Sequence, residues 1–331
     1  MSGPEVFGHL PDGRSVERYR IAAGDLEAWV MTWGATVQDL RYRGQRVVIG
    51  ADTLTPYLDE LVFAGAIVGR FANRIGQARF ALDGETFATD PNFLDRHTLH
   101  GGAEGAGNLL WTAEEVRQDR IRLTLTLPDG HMGFPGEMTV SACYSIEPPG
   151  CLRVVIEART TRATPCSFAH HGYFALDDSG TITDHLLEIA AEHYLPVDAD
   201  LIPEGPPMPV AGTAFDFRSA RVVGQAGYDH NFCLSDGAAP MRPVARLISP
   251  SSGLAMQVAT TEPGLQVYDG AHLGGARGHE GRALQPKAAM ALETQAWPDS
   301  PNRSDFPDCI LRPGETYRTE TTYAFFGDGT V

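Results

Sequence analysis

The residue with the clearest chemical potential is Glu293, in the stretch A-M-A-L-E-T-Q-A-W-P-D-S-P-N at 289–302. The four residues before it are apolar, which predicts a carboxylate emerging from the end of a buried strand. Trp297-Pro298-Asp299 then predicts a turn with an aromatic face nearby. Burial raises a carboxyl pKa and an aromatic wall excludes water, so such a group can serve as a base. A lone Glu before a turn is more often an exposed surface group. Separate His, Arg and Asp clusters weigh against that reading, because a shared site would explain them together.

The first cluster is G-R-F-A-N-R-I at 69–75. Its two arginines follow an apolar run, and a guanidinium fork can hold two vicinal hydroxyls or a carboxylate. Arg70 is read as a structural ion pair. For Arg74, beside Asn73, binding and structural roles are evenly balanced. In T-L-H-G-G at 98–102, His100 precedes two glycines that allow close backbone approach. In A-H-H-G-Y-F at 169–174, strand alternation sends His170 and His171 to opposite faces, so one of them can face a given cavity. Y-D-H-N-F at 228–232 offers Asp229 as an acceptor for hydroxyl groups, with His230 as its neighbour. P-G-L-Q-V-Y-D-G at 263–270 places Gln266 and Tyr268 on one strand face. A metal would have to use His100, one of the paired histidines and a carboxylate. These lack close spacing and no Cys supports them, so no metal and no cofactor are expected. No phosphate loop, dinucleotide fingerprint or Ser-centred elbow occurs.

Short alternating runs must position these groups. Leu26/Ala28/Val30, Ile121/Leu123/Leu125/Leu127, Leu152/Val154/Ile156 and Tyr317/Thr319/Thr321/Tyr323 all repeat with period two. Turn signals such as Pro11-Asp12-Gly13, Asp83-Gly84, Pro128-Asp129-Gly130 and Pro313-Gly314 separate such runs. A short helix is expected around Pro56–Leu61. The prediction is an all-β chain forming one large antiparallel β-sandwich, a single domain over 1–331, with 202–210 as a rigid loop and no internal repeat.

The chain has 331 residues and is 43% hydrophobic, which suffices for a sizeable core; Lys+Arg 26 against Asp+Glu 42 gives a formal net charge of −16. That charge argues against nucleic acid or an anionic membrane as partner and suits a neutral small molecule. No basic segment followed by an apolar run opens the sequence, and no stretch approaches a membrane span. Five scattered cysteines without a C-x-x-C pair read as reduced, mostly buried thiols, so a cytoplasmic location is expected.

Taken in order, the motifs resemble the aldose 1-epimerase (galactose mutarotase) family over nearly the whole chain. They run from G-A-T at 34–36 through G-R-F-A-N-R-I, L-H-G-G, and G-F-P-G at 133–136. H-G-Y-F at 171–174, L-P-V-D-A-D-L-I-P-E-G at 195–205, F-D-F-R at 215–218, D-H-N-F at 229–232 and L-E-T-Q-A-W-P-D-S-P-N at 292–302 complete them. The resemblance implies Glu293 as general base, His171 as general acid, and Asn73, Arg74, His100, Asp229 and Gln266 as sugar-binding residues. It also implies the galactose mutarotase-like supersandwich, with the site in a cleft across one sheet; one sandwich of this size can be a monomer or a homodimer paired through an edge strand. The activity implied is interconversion of the α and β anomers of a free aldose such as galactose or glucose.

The sequence departs from the family pattern at Ala169-His170, where Thr-Asn is usual, at Ala175 in place of Asn, and at Ala288 in place of His. The acid and base remain, so these departures bear on sugar preference. Three alternatives stay open: a hexose-6-phosphate 1-epimerase, a non-catalytic sugar-binding or sensor protein on the same fold, and a hydrolase or lyase on a related sandwich. The first would need a cationic cluster, the second would be expected to lose Glu293 or His171, and a hydrolase would need two flanking carboxylates.

Overall fold

The protein is described by a computed structural model, over residues 3–327. Among these residues there is no α-helix; the elements are strands and short 3-10 turns. Among the described residues, no helix is long and apolar enough to cross a membrane.

The main layer is a nine-stranded antiparallel sheet. It runs from the edge strand Thr112–Val116 through Arg120–Leu127, Met138–Glu147, Cys151–Thr160, Tyr317–Phe326, Ala255–Thr260, Arg242–Ile248 and Leu186–Ile189 to Arg221–Val222. The period-two runs explain it. Leu152, Val154 and Ile156 are buried and alternate with half-buried neighbours, as do Thr319, Thr321 and Tyr323 on the strand paired beside them. Leu26, Ala28 and Val30 behave likewise in a five-stranded N-terminal sheet.

Against the main sheet lies a six-stranded sheet, in the order Tyr173–Phe174, Met290–Gln295, Gly264–Tyr268, Asp229–Cys233, His193–Tyr194 and Met208–Pro209. Its alternation separates core from cleft. Met290, Leu292, Leu265, Val267 and Phe232 enter the largest apolar cluster. Thr294 also faces the main sheet, with its hydroxyl 2.5 Å from that of Thr321. Glu293, Gln266 and Asp229 are of the opposite parity and share the other face.

Several sequence expectations need correction. Glu293 lies within the strand Met290–Gln295 rather than at its end, because pairing with Gly264–Tyr268 continues to Gln295. Trp297 does not wall the carboxylate: it packs on Leu195 and Phe306 and donates its indole N–H to Pro263 O. The helix expected around Pro56–Leu61 is a single 3-10 turn over Thr55–Leu58. Arg70 is structural but has no carboxylate partner among the described residues; its guanidinium donates to Pro135 O and Gly136 O at 3.0 and 2.8 Å. Those carbonyls belong to the G-F-P-G motif. All five cysteines are free, but only Cys166 and Cys309 are fully buried. The segment 202–210 is held through Glu204 N–H to Pro196 O and through the Arg303 side chain to Gly205 O, as a packed loop.

Candidate active site

A cleft of about 530 Å³ opens on the polar face of the six-stranded sheet. All seven residues singled out for chemistry reach it or its wall. Asn73, Arg74, His100, His171, Asp229 and Glu293 line it directly. Gln266 lies immediately behind, opposite Glu293 in register. They come from six separate segments, and sheet register brings them together.

The centre of the site is the contact of His171 Nε2 with Glu293 Oε1 at 3.4 Å. Main-chain hydrogen bonds hold His171: its N–H donates to Ala66 O and its carbonyl accepts from Gly65 N–H. Both groups are almost fully buried, and Glu293 Oε2 has no partner among the described residues. Desolvation pushes the Glu293 carboxyl well above the usual range, with Asp229 adding to the rise and Arg74 opposing it. Desolvation also lowers His171 to about 4. Burial therefore favours a neutral carboxylic acid beside a neutral imidazole.

Around this pair sits a hydrogen-bonding shell. Arg74 Nη2 is 3.0 Å from Asp229 Oδ2, and Gln266 Nε2 donates to Asp229 Oδ1 at 2.5 Å. Asn73 Oδ1 accepts from the Arg74 main-chain N–H at 2.9 Å, and the Arg74 guanidinium lies 4.8 Å over the Phe93 ring. Asn73 and His100 both hold left-handed backbone, with φ of 63° and 52°. Such conformations cost of order 1 kcal/mol each and persist only where surroundings enforce them. Here the two residues enforce each other: His100 N–H donates to Asn73 O, and Asn73 N–H donates to His100 Nδ1 at 3.2 Å.

That last bond has a chemical consequence. His100 Nδ1 is an acceptor, so its neutral ring carries the proton on Nε2 and serves as a donor. One ligand atom each of His100, His171 and Glu293 lie within 4.8 Å of one another, which brings together the set named above as what a metal would have to use, although the sequence spacing argued against it. Binding a metal through Nε2 of His100 would move the proton to Nδ1, against the Asn73 N–H. The arrangement is better matched to hydroxyl groups.

The structure separates the paired histidines. His171 faces the cleft, while His170 turns into the core between Tyr144, Phe174 and Tyr323, with neither ring nitrogen partnered among the described residues. His230 packs on Phe215 and Tyr194 and reaches the cleft edge. The walls are aromatic. Tyr173 lies 5.0 Å from His171, Phe63 lies 4.8 Å from His100, and Tyr268 and His272 stack at 5.1 Å. Phe63, Phe93 and His272 were missed in the sequence because nothing local marks them as cleft residues. Tyr268 was noted only for its strand face.

The family model described as aldose 1-epimerase matches residues 17–324. The chain belongs to the aldose 1-epimerase family. It is similar to galactose mutarotases of Rattus norvegicus and Homo sapiens, each 38% identical over 97% of both chains. It is also similar to aldose 1-epimerase of Escherichia coli K12, 34% identical over 90% of this chain and 92% of that one. Among solved structures, an aldose epimerase homologue from C. elegans superposes with a TM-score of 0.89 at 27% identity, covering 95% of this chain and all of that one. The family's fold is therefore the one described above.

Proposed function

We propose that this member of the aldose 1-epimerase family interconverts the α and β anomers of a neutral free aldose, with galactose and glucose as the first candidates. The observation that carries the reading is the His171–Glu293 contact within a shell of hydroxyl-binding groups.

Anomer interconversion requires the hemiacetal ring to open and close. Glu293 as carboxylate removes the proton of the C1 hydroxyl while His171 as imidazolium donates a proton to the ring oxygen. The C1–O5 bond breaks, the aldehyde rotates, and closure on its other face reverses both transfers. Ring opening converts a charged pair into a neutral acid and a neutral imidazole. That neutral pair is the form burial favours, as the raised Glu293 and lowered His171 both indicate. The desolvated site thereby offsets part of the cost of the open aldehyde. Arg74, Asp229, Gln266, Asn73 and the Nε2–H of His100 are assigned to the sugar hydroxyls.

A phosphorylated sugar is disfavoured. Arg74 is the one Arg or Lys among the described residues lining the cleft, and Asp229 already engages it. The test is optical rotation of freshly dissolved α-D-galactose, α-D-glucose and α-D-xylose with and without the protein. Faster decay to the equilibrium rotation supports the reading; sugar binding without acceleration would favour a sensor instead.

A further inference from the structure

His272 is among the polar side chains in the cleft that this chemistry leaves without a task. His272 is exposed, lines the cleft, and follows the strand Gly264–Tyr268 by four residues. Gly270, with φ of 69°, turns the chain there; a Cβ at that position would fall 2.4 Å from Ala289 O. The 3-10 turn Ala271–Leu273 follows, anchored by the buried Leu273. It folds His272 back onto Tyr268, ring stacked on ring.

The hydrogen bonds define this imidazole. The Tyr268 hydroxyl accepts the main-chain N–H of His272 at 2.8 Å and is also hydrogen-bonded to His272 Nδ1. With its oxygen already accepting, the hydroxyl's own proton needs an acceptor, and Nδ1 is the one at hand. The neutral ring then carries its proton on Nε2, which has no hydrogen-bond partner among the described residues. Tyr268 thus sets both the orientation and the tautomer of a donor that is open to a ligand.

Position sets what that donor could meet. Gln266 stands opposite Glu293, and Tyr268 lies two residues further along the same strand face. Two residues of strand span about 7 Å. That is about the distance from the anomeric carbon to a donor that hydrogen-bonds a hydroxyl on the far side of a pyranose ring. We infer that His272, oriented by Tyr268, is a specificity-determining residue that donates through Nε2–H to a hydroxyl remote from C1, on C3, C4 or C6 of the aldose. This inference rests on the anomer-interconverting reading above. The segment carries no reacting group, so its effect falls on which sugar is turned over.

The test is kcat/KM by polarimetry for D-galactose and its 3-, 4- and 6-deoxy analogues, with wild type, His272→Phe and Tyr268→Phe. A neutral hydrogen bond in such a site corresponds to about tenfold. The wild-type-to-variant ratio should be about tenfold larger for galactose than for the one analogue lacking the contacted hydroxyl. Tyr268→Phe should shift the same sugar in the same direction, by less. A ratio uniform across all four sugars, whether near one or large, overturns the role of His272 while leaving the activity intact. Wild type that accelerates none of them overturns the activity reading itself, and the inference with it.

Discussion

Arg74 and Asp229, 155 positions apart in the chain, meet at 3.0 Å on the floor of the cleft. Gln266 holds the other oxygen of the same carboxylate. The guanidinium and carboxylate are thus oriented before any sugar arrives, which lowers the ordering cost of binding. Asp229→Asn keeps the shape but removes the charge that fixes Arg74. The expected outcome is a rise in KM of about tenfold with a smaller change in kcat, since binding is weakened more than proton transfer. Initial-rate polarimetry over a range of sugar concentrations checks it.

Glu293→Gln retains volume and removes the proton acceptor. Turnover is expected to fall by roughly 10²–10⁴-fold, with sugar affinity by calorimetry nearly unchanged. Near-normal turnover in that variant would remove Glu293 from the role of base.

The pH profile follows from the shifts of the pair. Activity needs one proton shared between Glu293 and His171; a second protonation blocks the base, and loss of the last proton leaves no acid. Burial lowers His171 to about 4, so the acid-side loss of kcat/KM is expected near pH 4. Because Glu293 is raised, loss of the last proton, and with it the alkaline limb, lies above the ordinary carboxylate range. An acid-side half-loss near pH 6.5 would indicate that His171 titrates as an ordinary imidazole and would contradict the assignment.

His170 makes the fold acid-sensitive. Desolvation lowers it from 6.5 to about 3, so the unfolded chain takes up its proton first as pH falls. Its contribution is complete above pH 6.5 and is lost progressively between 6.5 and about 3. Replacing it by an apolar residue should therefore lessen the loss of stability on acidification. Between pH 7 and pH 5 the difference is about 2 kcal/mol in favour of His170→Leu, relative to each protein's own value at pH 7. Urea unfolding at the two pH values measures it.

Arg70 lies outside the cleft but supports the segment that carries Asn73 and Arg74. Its guanidinium is buried and desolvation lowers it to about 10, while it donates to two main-chain carbonyls. Arg70→Met leaves those carbonyls unpaired, and a loss of roughly 2–4 kcal/mol in unfolding free energy is expected. Thermal unfolding checks this, and kcat at a temperature where the variant stays folded should change little.

Much was legible in the chain itself. Period-two burial of Leu152, Val154 and Ile156 is a local property, because alternate side chains of a strand face opposite sides whatever the strand pairs with. The same parity separates Leu292 from Glu293 and His170 from His171. The motifs named the residues that gather around Glu293, and family resemblance gave them an order. Sequence could not say which of the two histidines enters the cleft, since parity fixes that they differ and not which side the core takes. Nor could it show that Trp297 turns away, that Arg70 binds carbonyls, or that His272 returns to Tyr268. Each of these depends on register between strands and on turns joining distant segments: Gln266 opposite Glu293, Tyr173 opposite Ala291, Ala169 opposite Val68. Local periodicity determines which residues share a face, but only the closing of the sheets determines which faces meet.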